Sequence, residues 1–270
     1  MKKTVYDHLN RKVAYNFPPK KIISLVPSQT ELLYDLGLAN EIIGITRFCI
    51  HPKNRFKEKT KIGGTKNFDF DKIRALKPDL IIGNKEENYK EGIEELAKEF
   101  PVWISEIYTF EDNLKMISDI GNLCNKKQES DKICEDILKE FSKIKIPTIK
   151  KTVAYIIWQN PIMSINNNTF INNILEKSGY ENIFRSKKER YPEISEEELK
   201  IVKPDFIFLS SEPYPFKERN RKEYQNKFPE SKIILVDGEM FSWYGSRLRF
   251  SPKYIQKELY VIKKIDETGI

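Results

Sequence analysis

Short apolar runs separated by amphipathic segments recur along the chain. The runs IISLV, EIIGIT and LIIGN are typical of buried strands, and PSQTELLYDLGL and DFDKIRALKP between them have helical spacing. This order predicts a parallel sheet with helices on its faces. An alternating segment before it predicts a hairpin that turns at Asn10. We expect Ser28 or Thr30 to cap the first helix and Gly37 to end it in the left-handed conformation.

The second half of the chain repeats this plan. DKIRALKPDLIIG at 71–83 matches EELKIVKPDFIFL at 197–209, with Lys-Pro-Asp at the same place in each. A repeated α/β lobe is the simplest explanation of this match. An amphipathic stretch from about Lys127 to Ile144 predicts a helix that joins the two halves.

These patterns divide the chain into three parts. We predict an N-terminal α/β lobe over 1–125, a linking backbone helix over 126–148 and a C-terminal α/β lobe over 149–270. At 270 residues, the chain is long enough for two lobes, each with its own core.

Composition excludes several classes of protein. The 47 Lys and Arg exceed the 40 Asp and Glu, but the two signs alternate, which indicates a solvated surface and no nucleic-acid partner. Three cysteines without paired spacing argue against a disulfide framework and suit a reducing compartment. No apolar run is long enough to span a membrane.

The N-terminal residues carry no apolar leader and no cleavage site. On the sequence as it stands we expect a cytoplasmic protein, or a periplasmic or surface-anchored one if the recorded start is truncated.

Several motifs in this order resemble a known family. PKKIISLVPSQTELLYDLGL, KIRALKPDLIIG, NNTFINNILEKSGYENIF, YPEISEEELKIVKPDFIFL and MFSWYGSR are similar to segments of the helical-backbone substrate-binding proteins of ABC importers. These are the periplasmic cobalamin-binding and the siderophore- or haem-binding receptors. The resemblance runs from about Val5 to Ile262. It implies an α/β fold of two Rossmann-like lobes with parallel sheets, joined by one long backbone helix, with ligand in the cleft between them.

Such a cleft lies where the carboxyl ends of parallel strands converge. Aromatic side chains on the loops there suit a large flat ligand, and basic ones suit its acidic groups. We expect a small-molecule metal chelate, with cobalamin or another corrinoid first and ferric siderophore or haem second, and no cofactor of the protein's own. The predicted ligand-binding residues are Ser28, Gln29, Arg47, Cys49, His51, Lys66, Lys85, Trp158, Phe241, Trp243, Tyr244 and Arg247.

The resemblance also implies a transporter partner. In the family, an acidic residue seven positions before the helix-stop proline of each lobe pairs with arginines of the permease. Here these residues are Asp71 and Glu197, with aspartate where glutamate is usual. Ordinary helix N-terminal acids, favoured by the helix dipole, would give the same pattern.

Cys49 and His51 leave several alternatives open. Two ligands are too few for zinc, so we expect no metal site from the protein alone. Either side chain could contact the metal of a bound chelate, or serve only in packing and loop hydrogen bonds. A Cys-His nucleophile would need a third group and an oxyanion site, which the neighbouring sequence does not supply.

The leading hypothesis is therefore a non-enzymatic, monomeric binding protein for ABC-type uptake. The alternative is an intracellular enzyme or cofactor-handling protein that uses Cys49 and His51 on the same fold.

Overall fold

The computed structural model describes residues 1–53, 55–146, 148 and 150–260. The chain forms two compact units. The first unit comprises Met1–Ile107, Glu111–Leu138 and Tyr244–Arg247. The second comprises Tyr108–Phe110, Lys139–Trp243 and the described chain from Leu248. Four residues from near the C-terminus thus belong to the first unit.

The first unit is built on a parallel sheet and a separate antiparallel hairpin. In chain order the helices and strands up to residue 141 are β1 (Lys2–Tyr6), β2 (Lys12–Asn16), β3 (Ile22–Ser24), α1 (Pro27–Asp35), β4 (Ile42–Ile45), β5 (Thr60–Lys61), α2 (Phe70–Leu76), β6 (Leu80–Asn84), α3 (Lys90–Ala97), β7 (Val102–Ser105), α4 (Phe110–Leu123) and α5 (Lys127–Phe141). The strand order of the sheet is β5-β4-β3-β6-β7, and β1 pairs with β2 in the hairpin. Asn10 turns the hairpin with φ 58°, as predicted.

Helix α1 begins differently from the prediction. Its N-cap is Val26, which makes no side-chain cap, and Pro27 occupies the first turn, where a missing N–H costs little. Ser28 and Thr30 are buried inside the helix, and Thr30 Oγ1 donates to Val26 O at 2.9 Å. The expected cap was wrong, whereas Gly37 has the predicted positive φ, 76°.

Helix α5 is shorter than the predicted linking segment. It ends at Phe141, before the predicted ends at Ile144 and residue 148; residues 147 and 149 lie outside the described residues. The helix belongs to the first unit through Leu138 and to the second from Lys139.

The second unit contains the elements β8 (Lys151–Ile156), α6 (Phe170–Lys177), β9 (Tyr180–Asn182), α7 (Glu196–Val202), β10 (Phe206–Ser210), α8 (Glu218–Lys227), β11 (Lys232–Val236), α9 (Glu239–Ser242) and α10 (Ser251–Tyr254). Its parallel sheet has strand order β11-β10-β8-β9. The segment SPKYIQKELYVIKKI, which has helical spacing, begins as α10 and continues as a π-helix, Ile255–Tyr260, and its later part lies outside the described residues.

The repeated Lys-Pro-Asp motif has the same structure in both units. Lys77 and Lys203 end their helices in the left-handed conformation, at φ 48° and 43°, and the following proline prevents the helix from continuing.

The aspartate of each motif then fastens the neighbouring strand. Asp79 accepts from the amides of Lys20 and Lys21, at 3.0 and 2.7 Å, just before β3. Asp205 accepts from the amide and hydroxyl of Thr152 at the start of β8, at 2.8 and 2.9 Å. The repeat therefore encodes a helix stop and a strand anchor together.

Within the described residues, no helix is both long and apolar enough to cross a membrane.

Candidate functional site

Loops at the carboxyl ends of the first unit's strands adjoin one another. The Arg47 amide, after β4, donates to Gly63 O at 2.9 Å. Asn88, after β6, donates to Thr65 O at 3.0 Å and to Leu25 O at 3.2 Å. The segments that follow β3, β4, β5 and β6 thus form one continuous region.

The turn that contains Gly63 and Gly64 explains the close approach. Gly63 has φ 100°, which favours glycine. A Cβ on Gly64 would overlap Asn67 Oδ1 and lie only 3.1 Å from the Phe48 ring, so these two side chains would have to shift.

The RFCIHP loop alternates in exposure. Cys49 is 1% exposed, whereas Phe48 and Ile50 are 50% and 45% exposed. The guanidinium of Arg47, also exposed, lies 5.1 Å from the Phe48 ring centroid. Phe48 and Ile50 were not predicted as site residues; an apolar residue on each side of the cysteine was the available signal.

The buried position of Cys49 corrects its assignment as a contact residue. Its thiol donates to Thr30 Oγ1 at 3.2 Å and lies 3.4 Å from Thr46 Oγ1. Burial raises the thiol pKa, although the threonine hydrogen bonds oppose this. Cys49 therefore stabilises the loop from below, and a raised pKa disfavours a nucleophilic thiolate.

His51 is half-buried and lies at the end of this loop. Its positive form is one of the charges that lower the pKa of Glu31. The histidine that we considered as a contact to a chelated metal therefore lies near a carboxylate of α1, that of Glu31.

Arg247 also differs from the prediction, because it binds the protein itself. Its Nε and Nη2 donate to the two carboxylate oxygens of Glu31 at 2.7 and 2.8 Å, and both side chains are buried. Burial raises the Glu31 pKa, whereas the hydrogen bond and charge of Arg247 lower it. The guanidinium is occupied by this bidentate pair, so it does not form the expected basic contact on the surface.

Three other predicted basic residues are exposed on the first unit: Arg47, Lys66 and Lys85. Lys66 Nζ donates to Glu86 O, and Lys85 pairs with Glu106. Surface ion pairs of this kind are weak, so Lys85 can exchange its carboxylate for an acidic ligand group at small cost.

Ser28, Gln29 and Tyr244 lie inside the first unit. Gln29 Nε2 donates to Ser105 Oγ at 2.6 Å. Burial raises the pKa of Tyr244, and the charges of Glu87 and Glu86 raise it further. All three side chains are buried, so they pack beneath the loops and present little surface to a ligand.

The aromatic residues of the second unit divide into core and surface. Phe241 has no exposed area and packs against Tyr155 at a ring distance of 5.4 Å, which corrects its assignment to the ligand wall. Trp158 is 39% exposed and lies 5.6 Å from Tyr214. Trp243 is half-buried. Trp158 and Trp243 remain candidates for ligand stacking.

Glu212, in the loop after β10, is a residue that the sequence analysis missed. Its carboxylate accepts from Ser242 Oγ and, at 3.3 Å, from Trp243 Nε1. Burial raises its pKa, which those hydrogen bonds oppose and nearby Glu239 and Asp237 reinforce. A carboxylate thus lies beside the candidate tryptophan, in a region where we had expected basic groups.

Asp71 and Glu197 occupy equivalent places, each the second residue of its helix and exposed to solvent. The Asp71 side chain is 97% exposed, and its nearest cation, Arg74, is 3.6 Å away. In the described part of the chain, no group of three or more His, Cys, Asp or Glu residues is arranged to hold a metal ion.

Comparison with known proteins identifies the family. Residues 22–233 match the family of periplasmic binding proteins. The chain belongs to this family.

Three relatives show the range of this periplasmic binding protein family. The vitamin B12-binding protein of Vibrio parahaemolyticus is 27% identical over 200 residues, 72% of each chain. An ABC transporter substrate-binding lipoprotein of Bacillus subtilis is 24% identical over 95% of this chain and 85% of its own. The structure of the periplasmic haem-binding protein of Vibrio cholerae has a TM-score of 0.76 at 19% identity, covering 89% of this chain and 98% of that one.

Membership in the periplasmic binding protein family settles the class of function. Such proteins bind a substrate for transport and are not enzymes. The alternative of an enzyme that uses Cys49 and His51 was therefore wrong. The Bacillus subtilis protein is a lipoprotein and the Vibrio cholerae protein is periplasmic, which gives no support to the expected cytoplasmic location.

Proposed function

We propose that this periplasmic binding protein captures cobalamin or a related corrinoid for ABC-type uptake. The observation that carries the proposal is the apolar and aromatic area that each unit exposes where its own parallel strands end. The first unit exposes Phe48 and Ile50 beside Arg47, and the second exposes Trp158. Apolar and aromatic area of this kind suits the face of a large macrocycle.

Charge favours a corrinoid over haem. Glu212 places a carboxylate beside Trp243, and neighbouring Asp237 and Glu239 add negative charge. The carboxylates of haem would be repelled there, whereas the peripheral amides of a corrinoid can donate hydrogen bonds to it. On the first unit, Arg47, Lys66 and Lys85 suit the single phosphate of cobalamin.

His51 remains our candidate for a protein contact to the chelated metal. It is half-exposed on the RFCIHP loop, unlike Cys49. The ligand brings the other metal donors, so one side chain suffices.

Titration of the full chain with aquocobalamin, haem and a ferric siderophore, by calorimetry and absorbance, tests the proposal. We expect cobalamin to bind with a Kd below about 1 μM and more tightly than haem. Trp158→Ala should weaken binding about tenfold, because it removes a stacking surface. Tyr6→Ala, at an exposed aromatic of the hairpin, is the matched control and should leave the Kd unchanged.

Two results would count against this function. If none of the three ligands binds more tightly than about 1 mM, the chelate-binding function is rejected. Haem bound more tightly than cobalamin would reject the corrinoid and retain the wider class.

We place the protein outside the cytoplasm, with an ABC permease as partner and Asp71 and Glu197 as the docking acids. The relatives described above support this location. The matching helix positions and exposure of the two acids support the docking role.

A further inference from the structure

The hairpin of the first unit has a strand edge with which no described strand pairs. Strand β2 pairs with β1 alone, in a two-stranded sheet. The Phe17 amide donates to Met1 O at 2.7 Å and the Asp7 amide to Arg11 O at 3.0 Å, so the hydrogen-bonded pairs of the ladder lie at odd positions.

The alternation of an antiparallel ladder then fixes where the other backbone groups point. The N–H and C=O groups of Lys12, Ala14 and Asn16 face away from β1. Within the described residues, no hydrogen bond engages them. The side chains of these three residues are exposed, whereas Val13 and Tyr15 between them are buried. The outer edge of β2 is therefore accessible, and the buried side chains of Val13 and Tyr15 anchor the strand to the unit.

Two grooves follow this edge, with volumes of about 370 and 390 Å³. Ala14, Phe100 and Pro101 line both grooves, so together they form one trough along β2. Five residues of strand span about 17 Å, enough for an extended segment of similar length. Pro101, which also lines the trough, has no N–H with which to pair an added strand. The backbone groups available for pairing are therefore those of β2.

The charges along the trough are predominantly basic. Lys2, Lys12 and Lys77 line it, and among the described residues none of them has a carboxylate within ion-pair distance. Two acidic side chains also line the trough. Glu99 is held by Arg74, at 2.7 to 3.1 Å, and the carboxylate of Asp79 accepts from the amides of Lys20 and Lys21, at 3.0 and 2.7 Å. An occupant of the trough thus meets unpaired positive charge.

We infer that the free edge of β2 binds an extended acidic segment of a partner protein by adding it as a third strand of the hairpin. Main-chain hydrogen bonds to Lys12, Ala14 and Asn16 give affinity, and the lysines select acidic side chains. A second copy of this chain fits less well, because it would bring two basic edges together. The inference concerns a face formed by the hairpin and does not depend on the ligand proposed above.

A fluorescent peptide of nine residues, in which glutamate and valine alternate, tests this inference with the full-length protein. We expect binding that weakens with salt, and about tenfold weaker binding by Ala14→Pro, since proline removes one edge N–H. Proline is tolerated on an edge strand whose N–H faces solvent. Thr4→Pro, at the free edge of β1 on the other side of the hairpin, is the matched control and should bind the peptide normally.

Hydrogen exchange gives a second readout that does not rely on a variant. Peptide binding should slow exchange of the Lys12, Ala14 and Asn16 amides at least about tenfold, while the Val13 and Tyr15 amides, already paired with β1, change little. A peptide with lysine in place of glutamate should have no effect.

Four outcomes would overturn the inference. In the first, the peptide does not bind at 1 mM, and in the second, Thr4→Pro weakens its binding as much as Ala14→Pro does. In the third, the lysine peptide binds as tightly as the glutamate peptide. In the fourth, exchange slows equally at the Val13 and Tyr15 amides and at those of Lys12, Ala14 and Asn16. Self-association that Ala14→Pro abolishes would identify a second copy as the occupant and overturn it as well.

Discussion

At the scale of single residues, Thr30 and Thr46 hold the Cys49 thiol beneath its loop, while Phe48 and Ile50 face the solvent. Cys49 and His51 have a spacing that would place both on one face of a strand, but the loop turns the thiol inward and leaves Phe48 and Ile50 exposed. A loop has no fixed period, so the spacing rule for strands does not apply to it.

The Glu31–Arg247 pair gives the sharpest residue-scale prediction. Arg247→Met leaves the Glu31 carboxylate buried without its partner, and we expect a loss of about 3–5 kcal/mol in the free energy of unfolding. The double variant Glu31→Leu/Arg247→Met should recover most of this loss, because neither charge remains buried. Urea unfolding at pH 7 measures both.

Lys98→Met is the matched control. Lys98 pairs with Glu95 at 2.7 Å, but both side chains are well exposed, so the free energy of unfolding should change little. A similar loss in Lys98→Met and Arg247→Met would contradict the role assigned to burial.

At the scale of elements, the Lys-Pro-Asp repeat predicted a helix, a stop and a strand in each unit, and all six elements are present. The sequence did not show that the aspartates anchor the neighbouring strands. That role depends on which strand lies beside each motif, and the partners of Asp79 and Asp205 are more than fifty residues away.

Asp205→Asn tests the strand anchor. Burial raises the pKa of this carboxyl, but the hydrogen bonds from Thr152 and Lys151 outweigh burial and hold the pKa below its usual value. A lowered pKa in the folded state means that the carboxylate stabilises the fold above the unfolded pKa of about 3.9 and loses this effect as the pH falls through the folded value.

We therefore expect Asp205→Asn to lower the free energy of unfolding by about 1–2 kcal/mol at pH 7, and the difference to shrink below about pH 4. Denaturant unfolding at several pH values measures it. Asp131→Asn, which removes an exposed ion pair of α5, is the control and should have little effect. A constant difference between pH 3 and 7 would contradict the assigned role of the charge.

At the scale of the whole molecule, each unit carries one of the proposed docking acids. Reversing either charge, as Asp71→Lys or Glu197→Lys, should reduce uptake of labelled cobalamin by cells about tenfold, because it opposes permease arginines. The Kd of the purified variants for cobalamin should not change.

Glu91→Lys is the matched control for both variants. Glu91 is likewise the exposed second residue of a helix, α3, so its reversal alters a helix end in the same way. Equal loss of uptake in Glu91→Lys would show that net charge, and not the two positions, determines transport.

We could predict the order of elements, the duplication and the family from the sequence. The spacing of apolar residues, the glycines and prolines that end elements, and the repeated motifs are all local properties of the chain. The loops that end the strands could also be located, because each follows a strand predicted from the apolar runs. Phe241 and Arg247 could not be assigned correctly, because both residue types occur at ligand sites and in interiors. Their partners, Tyr155 and Glu31, are set by the tertiary fold.

The sequence alone thus determined that this chain is a duplicated α/β binding protein and which loops end its strands. Only the tertiary structure decided that Cys49 faces the core, that Glu212 lies beside Trp243 and that Tyr244–Arg247 completes the first unit. The physical reason is that burial and pairing depend on residues distant in sequence, which no local pattern specifies.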